Sequence, residues 1–446
     1  MPRIRAALAA LALAVFAVLP RDAAPAPTPR TATLHGVLRG TTVTPEGYWE
    51  WKPDVEAYDD QLGTFVGTTR EIEQLVVEFG GDRRVLTSAQ RAAFEGQRIR
   101  FDLERGEEVK VELKGDLAIA KIRRFTGMTV YVCGAKAVGR NVVFARTSGD
   151  AKNQPAFERA IQTVLASVKG PEDDVDSWLP AEVKTRWNRN ASDLLVIDDG
   201  QYPEASKEVA LKAVRDTHAF VKRALGTSFV GTAPPVVRLM GANDLAVHVT
   251  KKGTPLDAEA NYIPWAGELL IAVHGTRPDP AAIARAAARQ AVHYCLGSSE
   301  AEPVAMGLAL LAEAAAIGAP PGALLPRDEG AAYERVKAKR AKTWATLMKL
   351  GRFVDWGRED ADARGLEAEL AVGYLVGSGA PMAKASLAGW VAAMRKYGHP
   401  DAGAEGAFAM DPAKSDAEFW KYWTERAEGP PKPDKGGKPA GKPPTK

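Results

Sequence analysis

The stretch Gly267-Glu268-Leu269-Leu270-Ile271-Ala272-Val273-His274, followed after a few residues by Pro280 to Leu296, decides how this chain is read. It places a strand, Glu268 to Val273, directly before a helix. Upstream the same alternation continues: a strand at Leu194 to Ile197, a helix at Ala205 to Leu225, a strand at Val236 to Met240 and a short helix at Asn243 to Val249. Val209, Ala213, Phe220, Val221 and Leu225 recur at helical spacing, and Ser206 reads as a cap. Downstream of about Pro303 the periodicity is almost entirely helical, over Ala331 to Leu350, Leu366 to Leu375, Ala383 to Tyr397 and Ala417 to Ala427. A mixed α/β lobe, 191–302, is therefore expected to lead into an all-helical lobe, 303–428.

The segment 31–169 follows a different rule. Apolar residues alternate with polar ones at Ile99, Phe101 and Leu103, at Val109, Val111 and Leu113, and at Val130, Val132, Val142 and Phe144. A period of two predicts antiparallel strands, separated by turns at Arg105-Gly106, Lys114-Gly115 and Val138-Gly139. A helix from Gln154 to Val168 closes the segment, with Phe157, Ile161, Val164, Leu165 and Val168 on one face. The expected fold class is α+β. An acidic, proline-containing connector, 170–190, separates this domain from the lobes, and the Pro/Gly/Lys tail 429–446 lacks the apolar residues to bury a core.

A chain of 446 residues exceeds the usual size of one core, so two to three domains are expected. The net charge of +3 is the small difference between 59 basic and 56 acidic residues, which leaves no field pointing to nucleic acid. Within residues 1–30, Arg3 and Arg5 precede an apolar run from Ala6 to Leu19. That run is short of the roughly 20 residues a membrane helix needs, and it reads as a secretory signal. The expected location is periplasmic or extracellular, with no transmembrane domain in the mature chain. Cys133 and Cys295 fall in different domains and are expected to be buried free thiols.

The order of strands and helices from Leu194 to about Ala427 resembles the gluzincin branch of HExxH zinc metallopeptidases. The strand Gly267 to His274, the helix Ala281 to Leu296 after it, and the later Gly307-Leu308-Ala309 carry the resemblance. It implies that the strand Glu268, Leu269, Leu270, Ile271, Ala272, Val273 binds a substrate backbone along its edge, and that the following helix carries the metal motif. The first domain, with its opening Pro45-Glu46-Gly47-Tyr48-Trp49 and closing helix, resembles PsbP-like sandwich domains of exported bacterial proteins.

The zinc chemistry needs two His at i and i+4, a distant Glu as third ligand, and a Glu beside the first His to take a proton from the attacking water. On this chain HExxH becomes Arg289-Gln290-Ala291-Val292-His293. Arg289 is a fixed cation that repels zinc, Gln290 cannot act as a base, and only His293 remains. Aligned on Gly-Leu-Ala, the third ligand position holds Met306, with Glu313 as a competing assignment. Without the resemblance, Arg285, Arg289 and His293 read as an ordinary basic stripe. Cys295 beside His293 lies on a different helix face and reads as a buried small residue. Asp198-Asp199-Gly200 reads as a turn ending a strand.

Two functional expectations follow. The first is an exported, catalytically inactive peptidase-like protein that binds or scaffolds an extended peptide or protein partner, with no cofactor. The second is a metal-dependent hydrolase with a relocated site, using His293, Glu313 and a further ligand such as His274 or Glu300.

Overall fold

The computed structural model of the protein describes residues 32–33, 42–45, 49–53, 61–68, 72, 74–83, 86–102, 108–124, 127–139, 141–170, 188–198, 200, 202–231, 233–241, 259–264, 266–273, 278–298, 301, 303–320, 322–349, 361–407 and 411–428. The secretory-signal reading, the tail, most of the connector, the helix expected at Asn243 to Val249, and residues His274 and Glu300 lie outside the described residues. The chain is α+β, with a sheet-rich N-terminal part and a helical C-terminal part.

The N-terminal part opens with β1 (Ala32–Thr33) and β2 (Thr42–Val43), then β3 (Trp49–Pro53), β4 (Gln61–Gly67) and β5 (Leu75–Arg83). Helix α1 (Ser88–Asp102) precedes β6 (Glu108–Lys114), β7 (Leu117–Arg124), β8 (Gly127–Val138) and β9 (Asn141–Asp150), and α2 (Gln154–Ala166) and β10 (Val168–Lys169) close it. Strands β3 to β9 form one antiparallel sheet in the order β3-β4-β5-β9-β8-β7-β6. Side-chain alternation gives each face its own helix. Ala92 of α1 packs with Ala118, Ala135, Val142 and Phe144, while Phe157, Ile161, Val164 and Leu165 of α2 pack with Leu117, Val130 and Val132.

Two expectations are corrected here. Ile99 and Phe101 belong to helix α1, not to a strand. A capping box overrides the short alternation: Gln90 N donates to Thr87 Oγ1 at 3.2 Å and Thr87 N donates to Gln90 Oε1 at 3.0 Å. Helix α2 stops at Ala166, and Val168 instead pairs with Val43 of β2.

The α/β lobe runs β11 (Asn188–Ala191), β12 (Leu195–Asp198), α3 (Glu204–Leu225), β13 (Val236–Gly241), β14 (Ala260–Ile263), β15 (Glu268–Val273) and α4 (Pro280–Leu296). Its sheet order is β11-β12-β13-β15-β14, with β12, β13 and β15 parallel and the outer strands β11 and β14 antiparallel. Helix α3, in the β12–β13 crossover, and α4, which follows β15, pack on the sheet, where Val237, Leu239, Leu269 and Ile271 meet Ala210, Val214, Ile283 and Ala287. Ser206 is not the cap of α3: the helix starts after Pro203, and Ser206 N already donates to the Pro203 carbonyl. Asp198 Oδ1 accepts from Gly200 N at 2.9 Å, which makes the expected turn.

The helical lobe comprises α5 (Val304–Ala316), α6 (Pro326–Lys337), α7 (Trp344–Lys349), α8 (Ala361–Gly377), α9 (Pro381–Tyr397), α10 (Pro400–Ala407) and α11 (Pro412–Glu428). The single helix expected over Ala331 to Leu350 is two, broken between Lys337 and Trp344. Its core holds the fully buried Trp344, Trp390 and Trp423 and continues into α4 through Ala288, Val292 and Cys295. Helix α1 docks on this lobe: Gln90 Nε2 donates to the Arg395 carbonyl at 2.5 Å, and the Phe94 and His399 rings lie 5.7 Å apart.

Candidate functional site

Helix α4 begins where Asp279 Oδ1 accepts from Ala281 N at 2.9 Å, has Pro280 in its first turn, and ends at Gly297 with φ of 77°. This fixes the helix beneath the sheet, and its second half meets the β14–β15 hairpin. Gln290 Nε2 donates to the Val236 carbonyl at 2.8 Å and more weakly to that of Gly267 at 3.4 Å. Tyr294 donates its hydroxyl proton to the same Gly267 carbonyl at 3.0 Å. The Tyr262 hydroxyl, on β14, is hydrogen-bonded to Nδ1 of His293. The residues in the base and surviving-ligand positions of the peptidase motif thus tie a helix to a hairpin.

The electrostatics agree with a structural role. Burial pushes the His293 pKa down to about 3 and holds the Tyr262 phenol well above its ordinary value, so both are neutral near pH 7. His218, on α3, is buried and titrates at about 4: burial and the Lys222 charge lower it, and the Gln290 amide offsets them only in part. Burial likewise raises the Cys295 thiol to about 12, which removes it as a nucleophile. Cys133 and Cys295 are both buried free thiols.

The remaining motif positions diverge. Arg289 is exposed, while Gln290 is fully buried. Met306 is half-buried against the helical core. Glu313 is held by Arg285 Nε and Arg327 Nη1, each at 2.7 Å. Burial pushes its carboxyl up, but the two arginine hydrogen bonds outweigh it and leave the group below its ordinary value. Arg285 precedes His293 by eight residues, about 12 Å along a helix, so Glu313 meets α4 two turns from His293. The relocated metal site built on His293 and Glu313 is therefore corrected: one is bonded to a phenol and the other to two guanidinium groups. Among the described residues, no group of three or more His, Cys, Asp or Glu could share a metal ion. The residues present do not fit the zinc site that the peptidase resemblance implies.

The expected peptide-binding edge is also corrected. Strand β15, Glu268 through Leu269, Leu270, Ile271 and Ala272 to Val273, is interior, paired with β13 on one side and β14 on the other. Glu268 carries a second structural duty: its Oε2 accepts from Arg238 Nε at 2.9 Å, and both side chains are fully buried. The outer strands of this sheet are β11 and, beyond β15, β14. Ala272 N donates to the Glu259 carbonyl at 2.8 Å, so Glu259, Asn261 and Ile263 turn their main-chain groups to β15. Those of Ala260 and Tyr262 turn away from β15, and all four residues of β14 are buried. The sequence reading missed β14, although Pro264 and Gly267 between two apolar runs are the composition of a hairpin turn.

No family model matches the chain, and no curated protein matches it. A crystal structure from Bacteroides thetaiotaomicron VPI-5482, at 1.50 Å resolution, is similar to 48% of this chain, with 10% sequence identity and a TM-score of 0.18. The match spans 65% of that chain, just under two thirds of its length. A likeness at that score carries no argument about fold or activity.

Proposed function

We propose that the chain is an exported, non-catalytic protein that binds or scaffolds an extended peptide or protein partner, with an α/β lobe built like that of a zinc peptidase. One observation carries the reading: Gln290 and His293, the residues where the base and a ligand would stand, are engaged by main-chain carbonyls and by Tyr262. A helix so committed supports the sheet but cannot activate water.

The test is a panel of extended peptides titrated against the full chain. Saturable binding without cleavage is the expected result; cleavage of a bound peptide overturns the non-catalytic reading, and binding by none of them overturns the peptide assignment. Metal analysis of the purified protein separates this reading from hydrolysis. One equivalent of zinc that disappears on His293→Phe overturns the non-catalytic reading.

A further inference from the structure

A trough runs along α3 and shares no residue with β14. Its first half, about 470 Å³, is walled by Val209, Ala213 and Phe220 of α3, Ala284 of α4, and Ala312 and Ala316 of α5. Its second half, also about 470 Å³, passes between the end of α3 and Leu375, Val376 and Leu387 of the helical lobe. Phe220 and Arg223 line both halves, which joins them into one channel. From Val209 to Leu225 the channel follows sixteen residues of helix, about 24 Å. Each half lies within the roughly 300–1,000 Å³ of small-molecule sites.

The charges along this trough are unequal. In the first half Lys212 is matched by Asp216 at 2.5 Å. In the second half Arg223 and Lys384 have no ionic partner among the described residues, and no carboxylate lines the wall. The first half therefore meets two unmatched cations, Arg223 where the halves join and Lys384 in the second half. Val209, at 38% exposure, leaves part of the slot's apolar surface in water. The walls of the first half are mostly Ala, with Val209, Pro280 and Thr217.

We infer that this trough binds a single-chain amphiphile with an anionic headgroup, the acyl chain lying between α3 and α5 and the headgroup meeting Arg223 and Lys384. Burial of methylenes supplies affinity, and the two cations fix the direction of the chain. The test titrates the full chain with decanoate, dodecanoate and tetradecanoate below their micelle concentrations, with dodecanol as the neutral probe, by calorimetry. Saturable binding at one site is expected, weakening about fourfold for each methylene removed. Ala316→Trp, at an exposed position, fills the slot and should abolish binding of all four probes. Arg223→Glu combined with Lys384→Glu, both at the surface, should weaken the carboxylates at least tenfold and leave dodecanol unchanged, which keeps the test decisive should the tryptophan variant fail to fold. The inference is overturned by non-saturable uptake, by affinity independent of chain length, by carboxylate binding that survives the charge reversal, or by an acidic amphipathic helical peptide that binds the trough where dodecanoate does not.

Discussion

Tyr262 on the outer strand and His293 on the helix beneath it form a buried hydrogen-bonded pair, the phenol meeting Nδ1 of the imidazole. That contact leaves Nε2 facing away, the same division of labour by which a metal-bound histidine is oriented by a second residue. The two roles separate experimentally. Tyr262→Phe leaves a buried imidazole nitrogen without its partner and should cost about 1–3 kcal/mol in denaturant unfolding. Metal content should not change. A tenfold or greater loss of bound zinc in this variant would instead make Tyr262 the supporting partner of a ligand.

Gln290 fixes the second prediction. Its amide donates to two main-chain carbonyls from a position with no solvent exposure. Gln290→Glu restores the acid of a peptidase motif but replaces a donor by an acceptor facing acceptors. The variant should lose about 3 kcal/mol or more, beyond the cost of a single lost hydrogen bond, because a buried carboxylate would face two oxygens. Thermal unfolding measures it directly, and a stability equal to that of the parent protein would contradict the donor role.

Where the sequence succeeds and fails here follows from the range of the interactions involved. The strand Glu268 to Val273 and the helix Pro280 to Leu296 are legible because local runs and helical spacing define them. The loss of chemistry at Arg289 and Gln290 is legible because it depends on functional groups alone. The interior place of β15 is not, since it depends on β14 folding back through Pro264 and Gly267 to take the edge. The pairing of Glu313 with Arg285 and Arg327 also escapes the sequence, because α4, α5 and α6 converge only in the packed structure. Ile99 and Phe101 mislead for the opposite reason: three alternating residues outweighed the Thr87 and Gln90 cap that starts the helix.

Acid stability follows from three buried histidines. His218 and His399 titrate at about 4 and His293 at about 3, in each case mainly through burial, against 6.5 when unfolded. The unfolded chain binds these protons first, so stability falls as pH drops below 6.5, by up to about 1.4 kcal/mol per unit for each histidine. Glu369 opposes this. Burial raises it to about 7 from 4.5, so the folded protein keeps a proton that the unfolded chain releases, and its contribution falls as pH rises from 4.5 to 7. Denaturant midpoints from pH 5 to 6.5 should therefore rise with pH, and more steeply in Glu369→Gln. A flat or inverted profile in that variant would contradict the buried, neutral histidines.

The contact between α1 and the helical lobe makes a ranked prediction. Gln90 serves twice, closing the cap with Thr87 and donating to the Arg395 carbonyl at 2.5 Å. Thr87→Val removes only the hydroxyl half of the cap and should cost about 1–2 kcal/mol. Gln90→Ala removes the other half of the cap together with the bond across the domains, so it should cost more than Thr87→Val. Arg100 also crosses to the helical lobe, with Glu405 at 2.9 Å, but this pair sits in water with side-chain exposures of 32% and 50%. Arg100→Ala should therefore cost under about 1 kcal/mol, and less at high salt. Denaturant unfolding of the three variants in the order Gln90→Ala, Thr87→Val, Arg100→Ala is expected. Arg100→Ala ranking first would mean that exposed charge, and not the half-buried Gln90 amide, holds α1 to the lobe.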